Sequence, residues 1–102
     1  MKRNVYVTNF SGFDTVDANR FLSDDGEVIH ITEDKVNIFN PDSLVRNIQY
    51  KLKDMTANDI LLLAGNSTVA VYCSMVVLQK FGTIQLLVWN NRDGQYDLQK
   101  FD

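Results

Sequence analysis

No charged residue stands between Ile60 and Leu78, and the middle of that stretch reads Gly65-Asn66-Ser67-Thr68. Its length approaches the roughly 20 apolar residues that a membrane helix needs. The interrupting residues are turn and cap chemistry: glycine permits a tight bend, and Asn, Ser and Thr accept hydrogen bonds from the free N–H groups of a helix start. The stretch therefore divides into a strand, Ile60 to Ala64, and a helix from about Ser67 to Phe81 that Gly82 stops. Ile60-Leu61-Leu62-Leu63-Ala64 is apolar without alternation, the pattern of a strand buried on both faces of a parallel sheet. No membrane association is expected.

The remaining elements follow the same alternation. Val5 to Asn9 is β-branched and aromatic and reads as the first strand. Ser11-Gly12 breaks it, and Asp14 is placed to cap a short helix bearing Val16, Phe21 and Leu22, with Phe13 as a hydrophobic staple. Asp24-Asp25-Gly26 ends that helix, and Glu27 to Thr32 forms the second strand. Asn40-Pro41 is a helix start, with Asn as cap and Pro at the first helical position. Leu44, Val45, Ile48, Leu52 and Met55 then recur at helical spacing. Thr83 to Trp89 is the fourth strand, Asn90 to Gly94 a turn, and Tyr96 to Phe101 an antiparallel return.

The order β-α-β-α-β-α-β-β implies a mostly parallel sheet with right-handed crossovers and helices on both faces. The fold class expected is a three-layer α/β sandwich, Rossmann-like or flavodoxin-like. Its strand order is 2-1-3-4-5, with an antiparallel C-terminal edge strand. The 102 residues hold one domain, residues 1–102.

With that order one short helix faces strands three and four on one side of the sheet, although both strands are apolar on both sides. The third helix is apolar nearly all round, from Val69 to Leu78. Large exposed apolar patches mark contact sites. The expectation is a homo-oligomer, a dimer first, formed over the bare sheet face or the third helix, or else a complex with a host protein. The alternative is a single well-packed core with the third helix at its centre.

Thirteen acids against ten bases leave a net charge of −3, which argues against general binding to a nucleic-acid backbone. Arg46, Lys51 and Lys53, diluted by Asp54 and Asp59, read as a solvated helix face. Cys73 is the only cysteine, so the chain forms no internal disulfide, in keeping with a reducing compartment. The first residues lack the long apolar segment of an export signal, and a cytoplasmic location is expected.

Ligands of open α/β sheets sit beyond the carboxyl ends of the strands, where the strand order reverses. Here that point lies between strands one and three, which end in Thr8-Asn9-Phe10-Ser11-Gly12 and Gly65-Asn66-Ser67-Thr68. Both turns lead into helix starts, whose free N–H groups and dipoles favour anions. Thr8, Asn9, Ser11, Gly12, Gly65, Asn66, Ser67 and Thr68 are therefore the candidate ligand-binding residues. The same residue types serve equally well as caps and bends. The turns hold neither a Walker loop nor the spaced glycines of a dinucleotide fingerprint, so no cofactor is named.

No catalytic constellation is visible. Cys73 lies among apolar helix residues and His30 within a strand, so nothing aligns them as nucleophile and base. Asp24, Asp25 and Glu27 read as a solvated turn rather than a metal site. Glu33-Asp34-Lys35 predicts nothing specific, and Trp89 with Tyr96 reads as a cross-strand pair.

Asn9-Phe10-Ser11-Gly12-Phe13-Asp14 looks faintly like the flavodoxin phosphate loop but lacks its run of hydroxyl residues. Strand one ends in Thr8-Asn9, without the acidic cluster of a response-regulator receiver. Four further segments carry a closer resemblance: Val7-Thr8-Asn9, Val36-Asn37-Ile38-Phe39-Asn40, Leu61-Leu62-Leu63-Ala64-Gly65-Asn66, and Phe81-Gly82-Thr83-Ile84-Gln85-Leu86-Leu87-Val88-Trp89. In these, most of the chain resembles small proteins with a Rossmann-like fold encoded by tailed bacteriophages. That resemblance implies a phage accessory protein made in the host bacterial cytoplasm, and no particular activity. The function expected is a non-enzymatic, oligomeric interaction protein. The alternative is a small-molecule or nucleotide binder using the turns after strands one and three.

Overall fold

The computed structural model describes residues 2–9, 16–32 and 37–101. Its elements are β1 (Val5–Asn9), a 3-10 helix (Val16–Phe21), β2 (Val28–Thr32), α1 (Pro41–Lys51), β3 (Ile60–Leu62), α2 (Ser67–Phe81), β4 (Ile84–Asn90) and β5 (Gln95–Phe101). The sheet order is β2-β1-β3-β4-β5. β1 runs parallel to β2 and β3, β3 is parallel to β4, and β5 returns antiparallel to β4. The α/β sandwich has the expected strand order.

Local signals explain the two long helices. Asn40 caps α1, its side chain accepting from the Ser43 N–H, and Pro41 opens the first turn. Asn66 caps α2, and Gly82 closes it at φ 71°, a left-handed conformation that costs glycine little. Lys80 adds a tertiary cap: its Nζ donates to the carbonyls of Leu52 (2.7 Å) and Lys53 (3.0 Å), just beyond the end of α1.

The element after β1 differs from the α-helix the sequence suggests. It is a 3-10 helix over Val16–Phe21, and Leu22 N–H bonds back three residues to Asn19. Ser23 is then drawn off to the chain ahead of β1: the Arg3 N–H donates to its Oγ at 2.8 Å, and its own N–H donates to the Arg3 carbonyl. That pairing stops the helix before a longer α-helical run forms. Asp14 and Phe13, the expected cap and staple, lie outside the described residues.

The sheet separates two apolar cores. On one face α1 and α2 pack over Tyr6, Ile31, Leu61 and Ile84, with Ile48 and Cys73 among the helix residues that meet them and Leu52 joining from the end of α1. On the other face Val5, Val7, Ile60, Leu62 and Leu87 gather around Ala18 of the 3-10 helix. Burying each of the Val, Leu and Ile side chains among them stabilises the fold by about 1.5–3 kcal/mol.

This second core covers the middle of the sheet face expected to be bare, while Trp89 and Leu98, towards the edge of the same face, stay exposed. Leu62 and Leu87, at the middle of the sheet, are each only 1 % exposed. Phe21, Leu22, Ala64 and Tyr96 complete the cover. One short helix suffices because Ala18 carries only a methyl group at the contact and Tyr96 reaches in from the edge strand. The apolar excess on α2 remains.

Candidate functional site

The polar ends of three strands form one hydrogen-bonded cluster. Thr8 is fully buried, and its Oγ1 donates to the Ala64 carbonyl (2.7 Å) while accepting from the Ala64 N–H (2.9 Å). Thr32, at the end of β2, donates from Oγ1 to the Thr8 carbonyl at 2.8 Å. Asn9 donates from Nδ2 to Thr32 Oγ1 (2.9 Å), and its Oδ1 accepts from the Asn66 N–H (3.0 Å). One amide thus joins the ends of β2 and β1 to the turn after β3.

The expected ligand-binding residues fall into three groups. Thr8, Asn9, Gly65 and Asn66 come together. Gly65 and Asn66 are exposed with Ser67 and Thr68, which begin α2. Ser11 and Gly12 lie outside the described residues. Within this cluster Asn66 engages three of the backbone donors at the start of α2. Asn66 Oδ1 accepts from the N–H groups of Thr68 (2.9 Å) and Val69 (3.3 Å), and the Ala70 N–H bonds to the Asn66 carbonyl. Thr32, which completes the network, carries no motif in the sequence, because its role depends on a partner 24 residues away.

Cys73 and His30 lie on opposite sides of the sheet. Cys73 belongs to the core under α1 and α2, whereas His30 alternates with Ile29 and Ile31 and stands opposite Val7, whose side chain joins the other core. Burial pushes the Cys73 thiol up to about 12, so it stays protonated and unreactive at neutral pH. Among the described residues no group of three or more His, Cys, Asp or Glu side chains is placed to hold a metal ion. Asp25 instead accepts from Ser23 Oγ at 2.8 Å, a bond that holds its carboxyl below the usual range.

An exposed apolar surface lies on α2. Val69, Cys73, Val76 and Val77 bury one face. On the opposite side Val71, Met75 and Leu78 are 58 %, 50 % and 43 % exposed. Their spacing of four and three residues makes one stripe along the helix. Lys80 is the only charged residue in α2. The helix spans 15 residues, and among the described residues no helix is long and apolar enough to cross a membrane.

Beside this stripe, between α1 and α2, lies an open cleft of about 570 Å³ lined by Pro41, Asp42, Val45, Arg46 and Tyr72. A second, at the β4–β5 hairpin, includes Trp89, Asn90, Arg92, Asp93 and Asp97. There Asn90 Nδ2 donates to both Asp93 (3.1 Å) and Asp97 (2.8 Å), so the two carboxylates serve to brace the turn.

No curated protein and no solved structure matches the chain. A family model does, described as phage Pam3 gp32-like protein, and its match runs over residues 2–102. With nearly every residue inside that match, this small α/β chain belongs to the family of phage Pam3 gp32-like proteins.

Proposed function

We propose that this protein is a non-enzymatic phage accessory factor that works by self-association, as a homodimer, in the cytoplasm of the bacterial host. The observation that carries the reading is the exposed stripe Val71, Met75 and Leu78 on a helix whose other face is already buried in the core. An amphipathic helix normally turns polar residues to water. Here the outward side carries three large apolar residues, and covering them removes that surface from water. Family membership supports the phage setting.

Light scattering across a concentration series tests this reading. The wild-type chain is expected at twice its monomer mass, and Val71→Asp or Met75→Glu at the monomer mass with an unchanged far-ultraviolet spectrum. A wild-type chain that stays monomeric throughout the series removes the proposal.

The second reading, a small-molecule or nucleotide site at the ends of β1 and β3, draws on the exposure of Gly65, Asn66, Ser67 and Thr68. The capping bonds of Asn66 weigh against it, since they occupy two of the N–H groups an anion would use, those of Thr68 and Val69. A thermal-shift screen with nucleotides discriminates. A ligand at about a hundred times its dissociation constant stabilises by about 2.7 kcal/mol, a visible rise in melting temperature.

A further inference from the structure

Phe39 is 89 % exposed, more than any other large apolar residue described. It stands two residues before Pro41, which lines the cleft between α1 and α2. A knob and a hollow thus lie within about 7 Å of chain of each other. We infer that two copies of this chain pair about a two-fold axis, each placing Phe39 in the Pro41–Val45–Arg46–Tyr72 cleft of the other. The inference rests on the self-association proposed above and names the contact that determines its geometry.

Area motivates this extension. A stable interface covers about 800 Å² on each partner, contributed by some 20–30 residues. Three side chains on α2 fall well short of that. Tyr72 precedes Met75 by three residues and so adjoins it on the helix surface, which makes the stripe continuous with the cleft. Phe39 then adds a side chain that buries about 150–250 Å² when covered.

Symmetry agrees. Under a two-fold axis each surface meets itself, so that residue i contacts j and j contacts i. A face of one charge sign would repel its own copy. α2 carries a single charge, Lys80 at its last turn, and the cleft pairs one acid, Asp42, with one base, Arg46. Phe39 offers an aromatic face to the Arg46 guanidinium of the second copy. Aromatic and Arg residues are the types that dominate interface energetics.

Complementation between two variants tests the arrangement. Phe39→Ala removes the knob and Arg46→Trp fills the hollow; both positions are exposed, so each variant is expected to keep the wild-type circular dichroism spectrum. Each alone is expected to dimerise at least about 30-fold more weakly than wild type, the loss typical of a central interface residue. Mixed together, they are expected to form a heterodimer, because one intact knob meets one intact hollow.

If wild type dimerises, Val71→Asp breaks the dimer and Phe39→Ala leaves it unchanged, this inference is overturned and the α2 reading stands. Failure of the mixture to associate also overturns it. A monomeric wild type overturns both.

Discussion

A Cβ at position 65 would lie 2.3 Å from Oδ1 of Asn9, closer than unbonded atoms approach. Gly65 also holds φ 73°, where L side chains are strained. Glycine is required here so that the turn after β3 can approach the amide that ties it to β1 and β2.

Gly65→Ala is expected to cost about 2–4 kcal/mol, from left-handed strain and the displaced amide together. Asn9→Ala is expected to cost about 2 kcal/mol through its lost bonds to Thr32 and Asn66. The double variant is expected to lose less than the sum, since removing the amide relieves part of the clash. Denaturant unfolding of all four proteins measures this coupling, and strict additivity would argue against the contact.

Stability is expected to fall in alkaline solution. Burial raises the Cys73 thiol from 9.0 to about 12, and burial also raises the Tyr6 phenol, with the Asp59 charge adding to it. Both groups are neutral when protonated, so the fold favours the protonated forms. Their contribution is complete below the unfolded pKa values and is lost as pH rises from about 9 towards 12. Urea midpoints at pH 7, 9 and 10.5 should decline, with a shallower decline for Cys73→Ala. A flat profile in the wild type would contradict this account.

Lys80 links α2 to the end of α1 through two carbonyls. Lys80→Met keeps the aliphatic stem and removes the charge and donors, which isolates the cap. A loss of about 1 kcal/mol is expected, combining a helix-terminus charge with the hydrogen bonds donated to the Leu52 and Lys53 carbonyls. Amide hydrogen exchange at the last turn of α1 should rise in this variant; unchanged protection there would assign Lys80 no capping role.

The two sides of α2 are expected to respond unequally to substitution. Val77 is 2 % exposed in the core, and Val77→Ala should cost about 2 kcal/mol. Val71→Ser and Leu78→Gln, on the exposed stripe, should change the stability of the monomer by no more than about 0.5 kcal/mol. Unfolding at concentrations low enough to keep the chain monomeric makes the comparison. A large loss at Val71 or Leu78 would mean that the stripe contributes to the monomer's own fold.

Trp89 and Tyr96 face one another across β4 and β5, their rings edge to face with centroids 5.1 Å apart. A double-mutant cycle with Trp89→Ala and Tyr96→Ala should give a coupling of about 0.5–1.5 kcal/mol. Zero coupling would leave Tyr96 acting only as cover for the core beneath the 3-10 helix.

The sequence by itself determined whatever depends on near neighbours. Asn40-Pro41, Asn66 and Gly82 mark helix ends because capping acts within a few residues, and Ile60-Leu61-Leu62 reveals a strand buried on both faces by its lack of alternation. Those local signals also imply the strand order, since parallel crossovers admit few arrangements.

Tertiary structure alone decided how the second sheet face is closed and what the strand ends do. Ala18 and Tyr96 cover Leu87 from distant parts of the chain, and no periodicity marks an alanine or an edge tyrosine as a lid. Thr8, Asn9 and Asn66 carry the same chemistry whether they cap and brace the fold or hold a ligand. Only the distances that join them to Ala64, Thr32 and Val69 show which hydrogen-bonding groups are already taken.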